Sequence, residues 1–196
     1  MRIAIAGVLV MVSAPVHADG TFFEADIGLM TPLGDDDYEQ NIDESLKLGV
    51  RLGTRSGPRG LDVSVDFTPA NDELDNALAE VGIQRFRFMV GGRYEHPLTP
   101  KARLFVRGAA GIDLVHVTAS GDIFGQAFDT SETDVGLGLE ISSGVLFDVG
   151  KVQLGAKLGI PFAFHFDDDD PNDPDDVDLE YTGVDLDVAF VLNVPF

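Results

Sequence analysis

The sequence predicts an all-β protein, an eight-stranded antiparallel up-and-down transmembrane β-barrel with a polar, charged interior. Three observations support this fold. Eight segments alternate between apolar and polar residues, which is the side-chain period of a β-strand. Within each segment the charged residues share one face. After the N-terminal segment, no stretch has the roughly 20 apolar residues that a membrane-spanning helix needs.

Residues 1–18 are typical of a signal peptide. Arg2 gives a basic start, residues 3–12 form a short apolar run, and the segment ends in a small-x-small triplet at Ala18. A buried first strand or helix is the alternative, but the run is too short to span a membrane as a helix. We expect cleavage after Ala18, which leaves residues 19–196 as the barrel domain.

The eight predicted strands are separated by long and short connections in alternation. The strands span residues 21–31, 45–54, 60–68, 84–95, 102–118, 134–147, 151–164 and 181–196. The short connections are residues 55–59, 96–101 and 148–150, and the long ones are residues 32–44, 69–83, 119–133 and 165–180. This spacing indicates a barrel with tight turns at one end and extended loops at the other.

Three strands illustrate the alternation. In the third, Leu61, Val63, Val65 and Phe67 oppose Asp62, Ser64 and Asp66. In the second, Leu46, Leu48, Val50 and Leu52 oppose Lys47, Gly49, Arg51 and Gly53. In the last, Val184, Leu186, Val188, Phe190, Leu192, Val194 and Phe196 oppose Gly183, Asp185, Asp187, Ala189 and Asn193. Each strand therefore has one uncharged face.

Two arrangements fit this segregation. A soluble, lipocalin-like barrel would place the apolar face inside, whereas a membrane barrel places the charges there. We favour charges inside because the ten acidic and eight basic strand residues nearly cancel, because glycines share the charged face, and because the apolar face is too bulky for a narrow interior. The predicted lumen network comprises Glu24, Asp26, Lys47, Arg51, Asp62, Asp66, Arg85, Arg87, Arg93, Glu95, Arg103, Arg107, Asp113, Glu140, Lys157, Asp185 and Asp187.

Neighbouring strands suggest partners within this network. We expect Arg85 and Arg87 to face Asp62 and Asp66, and Arg103 and Arg107 to face Arg93 and Glu95. In an eight-strand barrel such side chains fill the interior, so they are expected to interlock as a hydrogen-bonded plug.

The four long connections are strongly acidic. They hold 22 acidic residues, in the order six, four, three and nine, and no Lys or Arg. In the fourth, a cluster of carboxylates could bind Ca²⁺ or Mg²⁺ weakly, and a solvated acidic loop is the alternative. An EF-hand is excluded because Pro171 and Pro174 occupy positions that need a ligand and a glycine. The cluster is Asp167, Asp168, Asp169, Asp170, Asp173, Asp175 and Asp176.

The terminal strand carries a family resemblance. Its alternating apolar residues end at Phe196, which resembles the assembly signal of outer-membrane proteins. Residues 19–196 are similar to the small OmpA-like, OmpX-like and OmpW-like barrels, without a subfamily motif. The resemblance implies an outer-membrane location, periplasmic termini, extracellular long loops and a monomer. It also implies contacts with outer-membrane lipid and lipopolysaccharide, and recognition of the last strand by the barrel-assembly machinery.

Catalytic motifs are missing from the sequence. It has no nucleophile elbow, phosphate-binding loop, HExxH motif or Cys. Its acidic surface disfavours nucleic acid. His165 is the one candidate general base, and no Ser or Thr adjoins it in the sequence. We therefore expect a non-enzymatic envelope protein with a structural or surface-interaction role and no cofactor. A narrow channel for small or hydrophobic solutes is the alternative, followed by a lipid A-modifying enzyme.

Overall fold

The chain closes into a single barrel. The computed structural model describes residues 20–33, 44–72, 79–123, 126–165 and 182–196. The strands are β1 (Gly20–Pro32), β2 (Ser45–Ser56), β3 (Arg59–Asp72), β4 (Ala79–Thr99), β5 (Ala102–Ile123), β6 (Gln126–Val149), β7 (Val152–Phe164) and β8 (Thr182–Pro195). They pair antiparallel in sequence order, and β1 also pairs with β8. The predicted eight-stranded up-and-down barrel is confirmed.

Three two-residue turns lie at the end of the barrel that also holds residues 20 and 196, which we call the turn end. Gly57 and Gly150 adopt positive φ values of 57° and 71° in two of these turns. A side chain there would be strained, so glycine allows the tight reversal. The third turn, at residues 100–101, follows a register shift between Pro97 and Thr99. The opposite end is called the loop end.

The two faces of the sheet have opposite chemistry. Outward side chains are apolar and exposed, as shown by Ile141 at 62% and Phe190 at 76%. Inward side chains such as Lys47 and Asp187 are charged and fully buried. This distribution is the reverse of that in a soluble barrel, so the lipocalin-like alternative is wrong. Among the described residues, no helix is long and apolar enough to cross a membrane.

Strand length divides the barrel. β4, β5 and β6 have 21, 22 and 24 residues, whereas the other five strands have 12 to 14. β5 and β6 stay paired up to Ile123 and Gln126, but β6 pairs with β7 only from Leu137 onward. The longer strands therefore extend past the rest of the barrel at the loop end. We call the extension, residues 69–72, 79–83, 116–123 and 126–134, the projecting sheet.

The projecting sheet corrects one prediction. Residues 119–133, expected to be a long loop, are mostly strand, and the expected loop 69–83 shrinks to the segment between Asp72 and Ala79. We infer that the apolar alternation marks the part of a strand that faces lipid. Backbone pairing continues further, because a hairpin needs only its neighbouring strand.

Candidate functional site: the charged lumen

The inner face of the barrel gathers most of its strand charges. Sixteen of the seventeen residues in the predicted lumen network are buried there. The exception is Arg103, which lies at the turn end with 41% of its side chain exposed. Buried charges are tolerated where opposite charges and hydrogen bonds compensate them, so the contacts of each group decide what the lumen can do.

Two lysines organise the middle of the lumen. Lys47 contacts Asp187 directly and lies 3.6 Å from Asp26 and 3.7 Å from Asp66. Lys157 lies 2.9 Å from Asp187 and 3.3 Å from Asp26. These residues come from β1, β2, β3, β7 and β8, so the ion pairs connect strands across the barrel as well as around it. We call the group the central cluster: Asp26, Lys47, Arg51, Asp62, Asp66, Arg107, Glu140, Lys157 and Asp187.

Arg107 connects the other side of the central cluster. Its Nε and Nη2 donate to Asp62 at 2.9 and 2.6 Å, its Nη1 donates to Glu140 at 3.1 Å, and its Nη2 also reaches the Ser64 hydroxyl at 3.0 Å. Arg107 lies on β5 and Asp62 on β3, so the guanidinium crosses β4. Gly91 makes this crossing feasible, because a β-carbon there would lie 2.8 Å from Nε.

Aromatic rings support the arginines nearer the turn end. Glu24 accepts hydrogen bonds from Arg51, from Arg93 at 2.6 Å and from Asn193 at 3.0 Å. The Arg93 guanidinium lies 4.0 Å from the centre of the Phe105 ring, within cation–π range. Sequence reasoning missed Phe105 and its counterpart Phe22, which lies under Arg55 at 4.7 Å. Their position on the charged face was the available signal.

A third group lies toward the loop end, and we call it the rim cluster: Arg85, Asp113, Asp134, His165 and Asp185. Arg85 donates to Asp113 at 2.8 and 2.9 Å and to Asp185 at 2.8 Å. The buried His165 ring binds Asp134 through Nδ1 and lies 3.4 Å from Asp113 through Nε2. Both ring nitrogens therefore face carboxylates, an arrangement suited to a structural bridge between β5, β6 and the end of β7.

The predicted ion-pair partners need correction. Asp66 and Arg87 are cross-strand neighbours, yet Arg87 Nη2 donates to the Met30 sulfur at 3.4 Å, and no ion pair joins it to Asp66 among the described residues. Arg85 pairs within the rim cluster instead of with Asp62 or Asp66. Side chains reach across a narrow lumen, so strand adjacency alone does not select the partner.

Of Arg103 and Arg107, only the first contacts a partner that was predicted for it. Arg103 approaches Glu95 at 3.7 Å, as expected, and Asp148 at 3.9 Å. Arg107 is the cross-strand neighbour of Arg93 but pairs with Asp62 and Glu140. A guanidinium placed opposite another guanidinium gains by turning toward carboxylates, even where those lie on more distant strands.

Comparison with known proteins agrees with this architecture. The family model described as outer membrane protein beta-barrel domain matches residues 4–190. The chain belongs to this outer-membrane barrel family. The resemblance to small outer-membrane barrels is thereby confirmed, and the protein is assigned to the outer membrane. No curated protein sequence matches it significantly.

Several solved outer-membrane proteins have a fold similar to that of this barrel, although their sequence identity to it is low. Neisserial surface protein A is 14% identical with a TM-score of 0.57, and the match covers 90% of this chain and 97% of that one. A major outer-membrane protein from Thermus thermophilus is 13% identical with a TM-score of 0.63, covering 90% and 98%. Ail of Yersinia pestis, in complex with the heparin analogue sucrose octasulfate, is 13% identical with a TM-score of 0.50, covering 90% and 97%.

The middle of the lumen of this outer-membrane barrel is filled with charged side chains. The side chains of Lys47, Arg51, Lys157 and Asp187 have no exposed surface. Bulk solvent therefore does not contact these charged side chains. The ion pairs in the middle of the barrel hold the strands together, as an apolar core does in a soluble domain.

No metal site is found in the part of the chain that the structure describes, since no three His, Asp or Glu side chains there are arranged to hold an ion. The predicted carboxylate cluster at residues 167–176 lies outside the described residues. So does the predicted signal peptide, residues 1–18.

Proposed function

We propose that this protein is a closed, non-enzymatic outer-membrane barrel whose lumen is a structural core and whose role in the envelope is a surface interaction at the loop end. The observation that carries the proposal is the central cluster, in which Lys47 and Lys157 share Asp26 and Asp187 with no exposed side-chain surface. Because these side chains form ion pairs with one another across the lumen, we expect them to block the path of a solute.

The orientation of the barrel is part of the proposal. With both termini in the periplasm, the projecting sheet and the acidic long connections face outward. Arg59, Lys101 and Lys151 lie at the opposite, turn end. We propose export through cleavage after Ala18, assembly through the Phe196 end of β8, and a monomer in contact with lipopolysaccharide.

A catalytic role is disfavoured by the rim cluster. A general base needs a ring nitrogen directed at the proton it removes. In His165 both nitrogens are directed at Asp134 and Asp113. If the histidine is structural, His165→Gln leaves the acylation pattern of lipopolysaccharide unchanged, whereas a lipid A-modifying enzyme would lose its product.

A narrow channel is the second candidate, and one observation favours it. Buried polar atoms in and beside the central cluster lack hydrogen-bond partners, including both oxygens of Asp66 and Nη1 of Arg87. Such atoms are normally satisfied by buried water. If this hydration were continuous, small ions could pass along it.

Single-channel recording separates the two candidates. Purified protein in planar bilayers, with a conducting porin recorded in parallel to verify insertion, is expected to give no reproducible current steps. Arg103→Ala removes a side chain at the turn-end opening without touching the central cluster, so it should behave like the original protein. Reproducible steps from the original protein would establish the channel and overturn the closed barrel.

The acidic loops suggest the ligands of the outer surface. Ail was solved with a sulfated heparin analogue, but a polyanion is a poor partner for the long connections of this chain, which contain no Lys or Arg. We propose cations instead, with Ca²⁺ or Mg²⁺ at the cluster of residues 167–176 binding weakly. Calorimetry with millimolar CaCl₂ should show heat that disappears when the seven aspartates of the cluster become asparagine. No heat from the original protein would remove the site.

A further inference from the structure

The outer wall of the barrel carries a groove that crosses β1 to β4, and we call it the wall groove. Its volume is about 370 Å³, which is within the range of small-molecule pockets. Because this wall faces lipid, a groove here suits a hydrocarbon chain. The outward side chains that form it are all apolar: Phe23, Val50, Leu52, Val63, Val65, Phe88 and Val90.

A gap in the side-chain layer leads from the wall groove toward the turn end. Val63 and Val90 are cross-strand neighbours in the groove, and the next outward pair in that direction is Leu61 and Gly92. Gly92 pairs in turn with Gly108 on β5. A β-carbon added to either glycine would meet no atom within 4 Å, and we call this gap the glycine strip. A hydrocarbon chain in the wall groove can therefore continue over the two glycines.

A cation lies where the glycine strip reaches the turn end. The outward pair that follows Leu61 and Gly92 is Arg59 and Tyr94, and both of these residues are exposed. Arg59 is separated from Val63 by about 13 Å along the strand. This distance is about half of the roughly 25 Å apolar band of a membrane barrel, which corresponds to one leaflet. Arginine and tyrosine at this height are typical of the boundary between hydrocarbon and headgroups.

The charge of this corner favours an anion. On the outward face the cross-strand neighbours of Arg59 are Ser56 and Tyr94, and neither is acidic. Glu95, which follows Tyr94 in β4, is buried in the lumen. A guanidinium binds phosphate through paired hydrogen bonds, and a tyrosine hydroxyl can donate one more. A headgroup of net negative charge fits better than a zwitterionic one, because no carboxylate on this face would hold the positive group of the latter.

We propose that the wall groove, the glycine strip and the pair of Arg59 and Tyr94 form a binding site for one anionic phospholipid of the leaflet at the turn end. One acyl chain occupies the wall groove, and the phosphate accepts hydrogen bonds from the Arg59 guanidinium and the Tyr94 hydroxyl. The inference rests on the proposed function only for the leaflet, which the proposed orientation makes the periplasmic one. The site depends neither on a closed lumen nor on a ligand of the acidic loops.

Tryptophan fluorescence tests the site, because the chain contains no Trp. Phe88→Trp places a single reporter in the wall groove, and Phe190→Trp places a control reporter on the outer face of β8. Each variant is inserted into phosphatidylcholine vesicles that contain brominated phosphatidylglycerol or brominated phosphatidylcholine as quencher. We expect the groove reporter to bind the brominated phosphatidylglycerol about fivefold more tightly than the brominated phosphatidylcholine, and the control reporter to show no preference. Both leaflets contain the quencher, so the result does not depend on the orientation of the barrel.

Two pairs of variants, made with the groove reporter, separate headgroup recognition from chain packing. Arg59→Gln should remove the preference for phosphatidylglycerol, whereas Lys151→Gln, at an exposed cation of another turn, should keep it. Gly92→Leu fills the glycine strip and should also remove the preference, because a chain in the groove no longer reaches Arg59. Ser143→Leu adds the same side chain at an exposed outward position of β6 and should have no effect.

Four results would overturn the proposal. The first is equal quenching of the groove reporter by the two brominated lipids. The second is the same preference at the control reporter, which would indicate attraction of anionic lipid to the whole turn end. The third is a preference that survives Arg59→Gln. The fourth is a groove reporter that neither lipid quenches, which would show that a protein surface such as a second copy of the chain covers the groove.

Discussion

The lumen and the projecting sheet share strands β3 to β6 but differ in how their charged side chains are compensated. On β6, Glu140 is buried in the lumen and accepts a hydrogen bond from Arg107 at 3.1 Å. Eight residues away on the same strand, Glu132 is exposed. Inside the barrel a charge is removed from bulk solvent, so it must be matched by opposite charges and hydrogen bonds. Outside, water and salt compensate it, so charges of one sign can accumulate.

The first way to break this comparison removes a buried cation. Lys47→Met leaves Asp26, Asp66 and Asp187 with one fewer partner. The free energy of unfolding, measured by urea titration, should therefore fall by about 3–5 kcal/mol relative to the original protein. Arg103→Met removes a cation whose side chain is 41% exposed and whose carboxylate partners lie 3.7 and 3.9 Å away. Its loss should cost under about 1 kcal/mol. Equal losses would mean that burial does not distinguish the two sites.

The second prediction places a charge on the outer face. Ile141→Lys introduces a cation at the lipid-facing middle of β6 and should destabilise the barrel by about 2–4 kcal/mol in a bilayer. Ser131→Lys lies on the same face but in the projecting sheet, so its effect should be within about 0.5 kcal/mol. Unfolding titrations in vesicles measure both. A large loss at Ser131 would place the membrane boundary higher than we infer.

The third prediction uses two neighbouring glycines. Gly91→Ala puts a methyl group 2.8 Å from the Arg107 guanidinium and should cost about 1–3 kcal/mol. Gly92 faces outward with no atom within 4 Å of a β-carbon. Gly92→Ala should therefore change the free energy of unfolding by no more than about 0.5 kcal/mol. If neither alanine lowers the free energy of unfolding, the Arg107 guanidinium does not depend on the missing side chain at Gly91.

The faces of the barrel were predictable because side chains alternate with a strict period of two. Once the charges of β3 and β8 were assigned to one face, the positions of Asp62, Asp66, Asp185 and Asp187 followed. The same period also placed Phe22 and Phe105 in the lumen. The packing of these rings against Arg55 and Arg93 was not predicted.

The partners within the lumen were not predictable in the same way. Arg107 reaches Asp62 by crossing the intervening strand at Gly91. The sequence contains the glycine, but many inward positions are glycine, and their heights around the barrel depend on the register of every pair of strands. The predicted ends of β5 and β6 were wrong for another reason. Apolar alternation indicates which part of a strand faces lipid, whereas backbone pairing can continue beyond it.

The pair formed by Arg107 and Asp62 tests the central claim, that the lumen charges stabilise the barrel by compensating one another. A double-mutant cycle with Arg107→Met and Asp62→Leu compares the free energies of unfolding of both single variants and the double variant. We predict that the double variant is more stable than the sum of the single losses implies, by about 1–3 kcal/mol, because it leaves neither charge unpaired. Additive losses would contradict the claim.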